Sequence, residues 1–381
     1  MVEEKLPKVD YSRAVSNTGD RSKIIRVMKK AMAGESITVG FIGGSITQGS
    51  LASAPDKCYA CRVYEWFKES FPASDVKYVN AGIGATDSQF GCARAESDLL
   101  SFKPDMCFAE FSVNDASNEH FHETYEGLVR KILAGGNRAL MLIHNVRYDD
   151  GGNAQLMHSK VARKYDVPSV SMQQVIYPEL ENGNIDNRLI TPDDLHPNDL
   201  GHALVSSVII SVLDEIKKEA VFSELSESII SSNLPSPETL NAYENSIRYR
   251  NDSDGNIVSE ISGFVKDEEP QNDITDIFKK GWIASDKGSY ITFKVKGSCI
   301  AVQYRKTIQK PAPAALVIID GDRENAKVLD ADFEETWGDK LCIENVMEHG
   351  EKGEHTVRIE LDKTHDRDAL PFYLVSVIVS G

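Results

Sequence analysis

The chain is poor in positive charge, in cysteine and in long apolar runs, and each shortage closes off a class of function. Only 42 Lys and Arg stand against 59 Asp and Glu, a formal net charge of −17. That surplus repels phosphate backbones and anionic lipid surfaces, so nucleic acid is a poor partner and a neutral substrate fits better. No run approaches the roughly 20 apolar residues that a membrane span requires. The first residues, Met1-Val-Glu-Glu-Lys-Leu-Pro-Lys8, hold no apolar secretory stretch. The expectation is a soluble, cytoplasmic protein with no membrane partner. Six cysteines are few for 381 residues and are expected to be free thiols. Cys58 and Cys61 have the spacing of half a zinc site, but no second pair matches them, so no metal is expected. There is no internal repeat and no low-complexity tract.

What is present is enough chain for two domains, and two successive patterns. From Ile37 to Lys218 apolar strands alternate with helical segments. The strands are Ile37–Ile42, Val76–Asn80, Met106–Phe111, Ala139–His144 and Ser169–Met172. The helices lie at 21–33, ahead of the first strand, and at 59–70, 92–101, 125–133, 154–165 and 201–218. Nearly continuous apolar strands between helices predict a parallel sheet covered on both faces, the α/β class. Residues 221–250 turn polar and read as a linker or strap. Beyond them short alternating runs at 289–295, 299–304, 315–319, 356–361 and 372–379 predict an antiparallel β-sandwich, jelly-roll-like, over 251–381. The first domain is assigned 1–220.

Ligand sites in parallel sheets form outside the carboxyl ends of the strands, and the polar residues gather there. Val39-Gly-Phe-Ile-Gly-Gly-Ser45 runs a strand into a tight turn that exposes a serine. Asn80-Ala-Gly-Ile-Gly-Ala-Thr86 and Phe111-Ser-Val-Asn114-Asp115 end two further strands. Far along the chain, Asp193-Asp-Leu-His196-Pro places a carboxylate three residues before an imidazole. A serine hydroxyl becomes a useful nucleophile when a base takes its proton and a carboxylate fixes the base's tautomer. Ser45, His196 and Asp193 supply those roles, with Asp193 preferred to Asp194 on spacing. The N–H of Ser45, the N–H of Gly84 or Ala85 and the side chain of Asn114 are the candidate donors to an oxyanion. Read singly, each segment is an ordinary turn: Ser45 an N-cap, Asn114-Asp115 an Asx turn.

The four segments in this order resemble the blocks of the SGNH, or GDSL-type, hydrolase superfamily, over roughly residues 37–202. The resemblance implies a three-layer α/β/α fold and ester hydrolysis through an acyl-enzyme, with no metal and no other cofactor. Two positions depart from the pattern. Ala85 stands where the second block usually has its donor glycine, so the donor is Gly84 or Ala85. Ser112 stands where the third block usually has glycine.

The order of hydrolase and sandwich is similar to the seventeenth carbohydrate-esterase family, which takes acetyl from mannosyl residues with a preference for the 2-O position. It implies an acetylated oligosaccharide as substrate. His144 at a strand end and Trp337 in a polar loop are candidate substrate contacts; His202 and Trp282 read as packing residues. Arg94 reads as a helix-surface residue or a salt-bridge partner. A lipase, a thioesterase, an acetylxylan or peptidoglycan acetylesterase, and a carbohydrate-binding protein with an idle site are the alternatives. A homo-oligomer is compatible with the sequence.

Overall fold

The structure is a computed structural model that describes residues 5–223, 234–253, 257–365 and 367–381. It divides into two compact units between Asn241 and Ala242.

In the first unit β1 (Val15–Asn17), α1 (Ser22–Met32), β2 (Ile37–Gly43), α2 (Ser45–Gln48), α3 (Tyr59–Ser70), β3 (Val76–Gly82), α4 (Ser88–Asp98), β4 (Met106–Glu110), α5 (Glu119–Leu133), β5 (Ala139–His144), α6 (Gln155–Lys164) and β6 (Ser169–Ser171) follow in turn. Three short helices, α7 (Met172–Val175), α8 (Tyr177–Glu181) and α9 (Asn187–Ile190), lead to the long α10 (Asp199–Phe222). The sheet order is β1-β6-β5-β4-β2-β3, parallel except for β1, which pairs antiparallel with β6 at the edge.

Side chains alternate across a strand. Val39, Phe41, Met106, Phe108, Met141 and Ile143 therefore share one face and pack into a core with α1, α3 and α10. Phe41 stacks on Phe108 at 4.6 Å there. Helices α4, α5 and α6 pack on one another and against the sheet's other side, which gives the expected three layers. The order and register matter for function. Strand β2 lies between β4 and β3, and Gly43 pairs with both Gly82 and Glu110. The ends of the serine, glycine and asparagine segments are thereby delivered to one row.

The second unit is two facing antiparallel sheets. Its strands are β7 (Ile247–Tyr249), β8 (Val258–Ser262), β9 (Val265–Lys266), β10 (Trp282–Ala284), β11 (Tyr290–Gly297), β12 (Cys299–Lys306), β13 (Ala314–Ile319), β14 (Lys327–Asp330), β15 (Lys340–Met347), β16 (Gly353–Lys363) and β17 (Phe372–Ser380). One sheet runs β15-β12-β17-β10-β9 with β7 on β17, the other β14-β13-β16-β11-β8. Alternate residues such as Ile291, Phe293 and Val295, or Val357, Ile359 and Leu361, fill the core between them with Ile300, Val302 and Phe372. Trp282, 1% exposed, meets Phe293 edge-on and is the core residue expected.

The strap expected over 221–250 lies partly outside the described residues, at 224–233. Its described parts belong to the two units. Val221 and Phe222 end α10, the N–H groups of Glu238 and Thr239 donate to the Glu126 carboxylate at 2.7 and 2.8 Å, and Ile247–Tyr249 is a strand of the sandwich.

Candidate active site

Ser45 is the first residue of α2, a single helical turn that Gly44 precedes and Gly49 closes in the left-handed region. Close approach explains the glycine before it. A Cβ on Gly44 would lie 2.3 Å from Asn114 Oδ1, so the missing side chain is the space the Asn114 amide occupies. Gly82 is bare for a similar reason: its Cβ would sit 2.1 Å from the Gln48 nitrogen, because α2 rests directly on the end of β3. Ser45 itself is 7% exposed.

The base arrives on the loop between α9 and α10. Asn198 caps α10 through Gly201 N–H and donates to Leu189 O, while Asp199 accepts from the N–H and hydroxyl of Ser53 at 2.7 and 2.6 Å. These bonds and one from His202 Nε2 to Ser50 O, 3.1 Å, tie the loop to the segment that follows Ser45. His196 Nε2 then lies 2.8 Å from Ser45 Oγ, and its Nδ1 lies 2.7 Å from Asp193 Oδ2. The other carboxylate oxygen of Asp193 accepts from the N–H of His196 at 2.8 Å and of Leu195 at 3.1 Å. Partial burial pushes the Asp193 carboxyl upward, but the bonds from the His196 ring and these two amides outweigh it and hold it below the usual carboxylate range. An ionised Asp193 only accepts, so Nδ1 carries the ring proton and Nε2 is left to accept from the serine hydroxyl. Asp194 turns the other way, at φ +64°, to Arg188 at 2.5 Å and Asn187 at 3.2 Å.

The candidate oxyanion donors gather beside Ser45. Asn114 lies against Gly44 with its carbonyl oxygen buried and without a partner among the described residues. Gly84 N–H donates to Gln48 Oε1 at 2.6 Å, an engagement that sequence reasoning missed. Ala85 sits at φ +54°, the left-handed region where glycine carries no Cβ penalty, which accounts for glycine being usual there. Ser112, in the third segment, is wholly buried and donates to Asn145 O at 2.9 Å and Glu110 Oε1 at 3.2 Å, so its hydroxyl links β4 to the loop after β5.

Behind these groups lies a buried polar layer. Glu110 accepts from the N–H and hydroxyl of Ser112, and burial raises its carboxyl to about 7. Asp115 accepts from Ser88 N–H and meets His158 Nε2 at 2.9 Å; burial raises it too to about 7, and lowers His158 to about 3. His158 stacks on Tyr125 at 3.5 Å.

His144 belongs to this interior. It is 0% exposed and burial keeps its ring neutral, which corrects the expectation of a substrate contact: the side chain points into the layer below the strand ends. Of the two readings of Arg94 the helix-surface one is corrected and the salt-bridge one holds: it is fully buried, bonded to main-chain carbonyls, and its Nη1 lies 3.3 Å from Asp98 Oδ2. His202 is the expected packing residue, buried and stacked near Tyr59. Trp337 lies in the second unit, 54% exposed and edge-on to Phe333.

A buried serine on a turn, a base at 2.8 Å and a carboxylate behind the base are equipped for general-base-assisted acyl transfer. Residues 41–204 match the model of the GDSL-like Lipase/Acylhydrolase family. Two solved structures match nearly end to end. A two-domain esterase (CEX) active on acetylated mannans is 54% identical, with a TM-score of 0.94 over 98% of this chain and 99% of that chain. A structure of a two-domain esterase (CEX) active on acetylated mannans co-crystallised with mannopentaose is 54% identical, with a TM-score of 0.93 over 98% of each chain. No curated protein matches the chain. The chain belongs to the GDSL-like lipase/acylhydrolase family, in a two-domain form. It is a carboxylic ester hydrolase.

Proposed function

We propose that this chain is a serine acetylesterase that removes O-acetyl groups, at the 2-O position by preference, from manno-oligosaccharides. The observation that carries the reading is the chain of contacts Ser45–His196–Asp193, at 2.8 and 2.7 Å, in a protein 54% identical to an esterase active on acetylated mannans. The structure of such an esterase co-crystallised with mannopentaose supports an oligosaccharide as the ligand class. His196 takes the proton of Ser45 as its oxygen attacks the acetyl carbonyl. Asp193 holds the ring in the accepting tautomer and stabilises the imidazolium. The N–H of Ser45, the N–H of Ala85 or Gly84 and the Asn114 amide receive the negative charge on the carbonyl oxygen. His196 then gives its proton to the departing sugar oxygen, which leaves as a hydroxyl while the acetyl group stays on Ser45. Water, activated by the same base, releases acetate from Ser45. Trp337 offers an exposed aromatic face of the kind on which a pyranose ring stacks.

Acetate release from acetylated mannan, xylan and chitin oligomers tests the substrate, with NMR of partly deacetylated mannan reporting the position. The mannan series is expected to be fastest and Ser45→Ala to lower turnover by about 10^4-fold or more. Faster release from xylan, or equal loss from every position of the mannosyl ring, would overturn the substrate assignment.

A further inference from the structure

Arg94 is the one fully buried guanidinium among the described residues, and it lies under the strand ends that carry the site. Its Nη2 donates to the carbonyl of Gly43 at 3.0 Å and its Nη1 to the carbonyl of Ala81 at 2.7 Å. Gly43 is two residues before Ser45, and Ala81 is three before Gly84. Phe90 lies 5.4 Å from the guanidinium carbon. The counter-charge is meagre: Asp98, one turn along α4, reaches Nη1 at 3.3 Å, and Nε is buried with no acceptor among the described residues.

An arrangement of this kind is a poor choice for stability. Removing a guanidinium from water is costly, and Asp98 at 3.3 Å with Asp87 as the other nearby charge offsets it only in part; an apolar side chain of similar volume would fill the space at less cost. The bonds that Arg94 makes say what it supplies instead. Gly43 and Gly82 are paired neighbours of β2 and β3, and beyond them the ladder ends. Past that point the chains part into the Ser45 turn and the Gly84–Ala85 turn. Between the turns Ile83 N–H donates to Gly43 O at 3.0 Å, Asn80 Nδ2 to Thr47 O at 2.8 Å and Gly84 N–H to Gln48 Oε1 at 2.6 Å, and Arg94 braces from behind the two strand ends from which both turns leave.

We propose that Arg94 is a positioning residue for ester hydrolysis: by donating to Gly43 and Ala81 together it fixes the Ser45 turn against the Gly84–Ala85 turn, so that their N–H groups converge on one oxygen, with a cation behind the strand ends where negative charge develops. Misplacing such donors by about 1 Å is enough to lose about 100-fold in rate. The inference rests on Ser45 being the nucleophile, but not on the identity of the sugar.

The test therefore uses p-nitrophenyl acetate with the full chain, comparing Arg94→Met, Arg94→Lys and Ser45→Ala. Arg94→Met is expected to lower kcat by about 100-fold and Arg94→Lys, which keeps the charge but cannot span both carbonyls, by about tenfold, with KM within about threefold in each. Labelling of Ser45 by a fluorophosphonate is expected to slow in the same order. Circular dichroism at the assay temperature gives the folded fraction; if Arg94→Met does not fold, Arg94→Lys decides alone. Folded variants with kcat within about threefold of the parent, or a loss wholly matched by the unfolded fraction, would overturn the proposal. Full turnover by Ser45→Ala would instead refute the nucleophile assignment on which it stands.

Discussion

The two sides of the site are built by different means. On the strand-end side Ser45 and Asn114 are placed by packing: glycines at 43, 44 and 82 are filled by neighbouring atoms at 2.1 to 2.3 Å from where a Cβ would be, and the groups behind them are buried. On the loop side Asp193 and His196 are placed by hydrogen bonds in partly open positions, with side chains 45% and 22% exposed. The contrast extends to charge. Glu110 behind the serine is raised to about 7 by burial, whereas Asp193 is lowered by the donors that reach it. One side should answer to changes of volume and the other to changes of proton and charge.

The largest expected effect lies on the loop side and needs no change of shape. Asp193→Asn removes the acceptor that fixes the His196 tautomer and is expected to lower kcat by about 10^4-fold while the fold is kept. Asp194→Asn, one residue along, removes only the partner of Arg188 and Asn187, and an asparagine tolerates its φ of +64°. Its kcat should stay within about twofold. Comparable losses in the two variants would end the distinction drawn between the two aspartates.

Next comes a change of volume alone. Gly44→Ala places a methyl where the Asn114 carbonyl oxygen now lies. Because the obstacle is the end of a side chain and not backbone, the amide can swing aside, so urea unfolding should show a modest loss. Activity on p-nitrophenyl acetate should fall by about 100 to 1000-fold, the loss typical for one oxyanion donor. A large fall in stability with undiminished activity per folded molecule would show that Asn114 is a packing residue.

The third prediction sets Glu110 against the loop side through pH. Its folded carboxyl, near 7, binds its proton more tightly than in the unfolded chain. The folded state therefore holds more protons between about 4 and 7, and this group makes stability fall as pH rises through that window. Asp115, also near 7, acts in the same direction, while His158 and His202, lowered to about 3 and 4, remove stability below their unfolded value of about 6.5. Glu110→Gln keeps an acceptor for Ser112 and has no proton to lose. It is expected to match the parent near pH 4.5 and to be more stable at pH 8 by on the order of 3 kcal/mol. Thermal melts of both proteins at the two pH values check this. An equal gap at both would mean that Glu110 is charged throughout.

The parts that were legible in the sequence are those where residue type and burial agree. Ala139–His144 reads as a buried strand because every member but the last is apolar, and the observed strand has those bounds. The spacing of Asp193 and His196 pointed to the carboxylate that one turn of chain sets against the ring, at 2.7 Å. The illegible parts are those where tertiary surroundings override type. Arg94, Glu110 and His144 carry groups that favour water, yet each is wholly buried because main chain or a neighbouring hydroxyl or ring surrounds it. Val15–Asn17 is too short and half-buried to show a period, and Val258–Ser262 is an edge strand whose side chains are mostly exposed. Neither face of such a strand leaves an alternating record.

The smallest effect concerns the one place where the strand-end side holds a residue that its backbone does not favour. Ala85 adopts φ +54° in the turn proposed to supply an oxyanion N–H. An alanine in the left-handed region costs roughly 1–2 kcal/mol, while glycine gives back about 0.5–1 kcal/mol in unfolded-state freedom. Ala85→Gly is therefore expected to raise stability by up to about 1 kcal/mol in urea titration, with kcat within about twofold, because the N–H proposed to meet the oxyanion is retained. If packing dictates this turn as firmly as it dictates Gly44 and Gly82, removing the methyl relieves strain and changes nothing else. A loss of activity without loss of stability would instead show that the alanine narrows the turn's motion. The strand-end side would then depend on side-chain restraint at Ala85 as well as on close approach at its glycines.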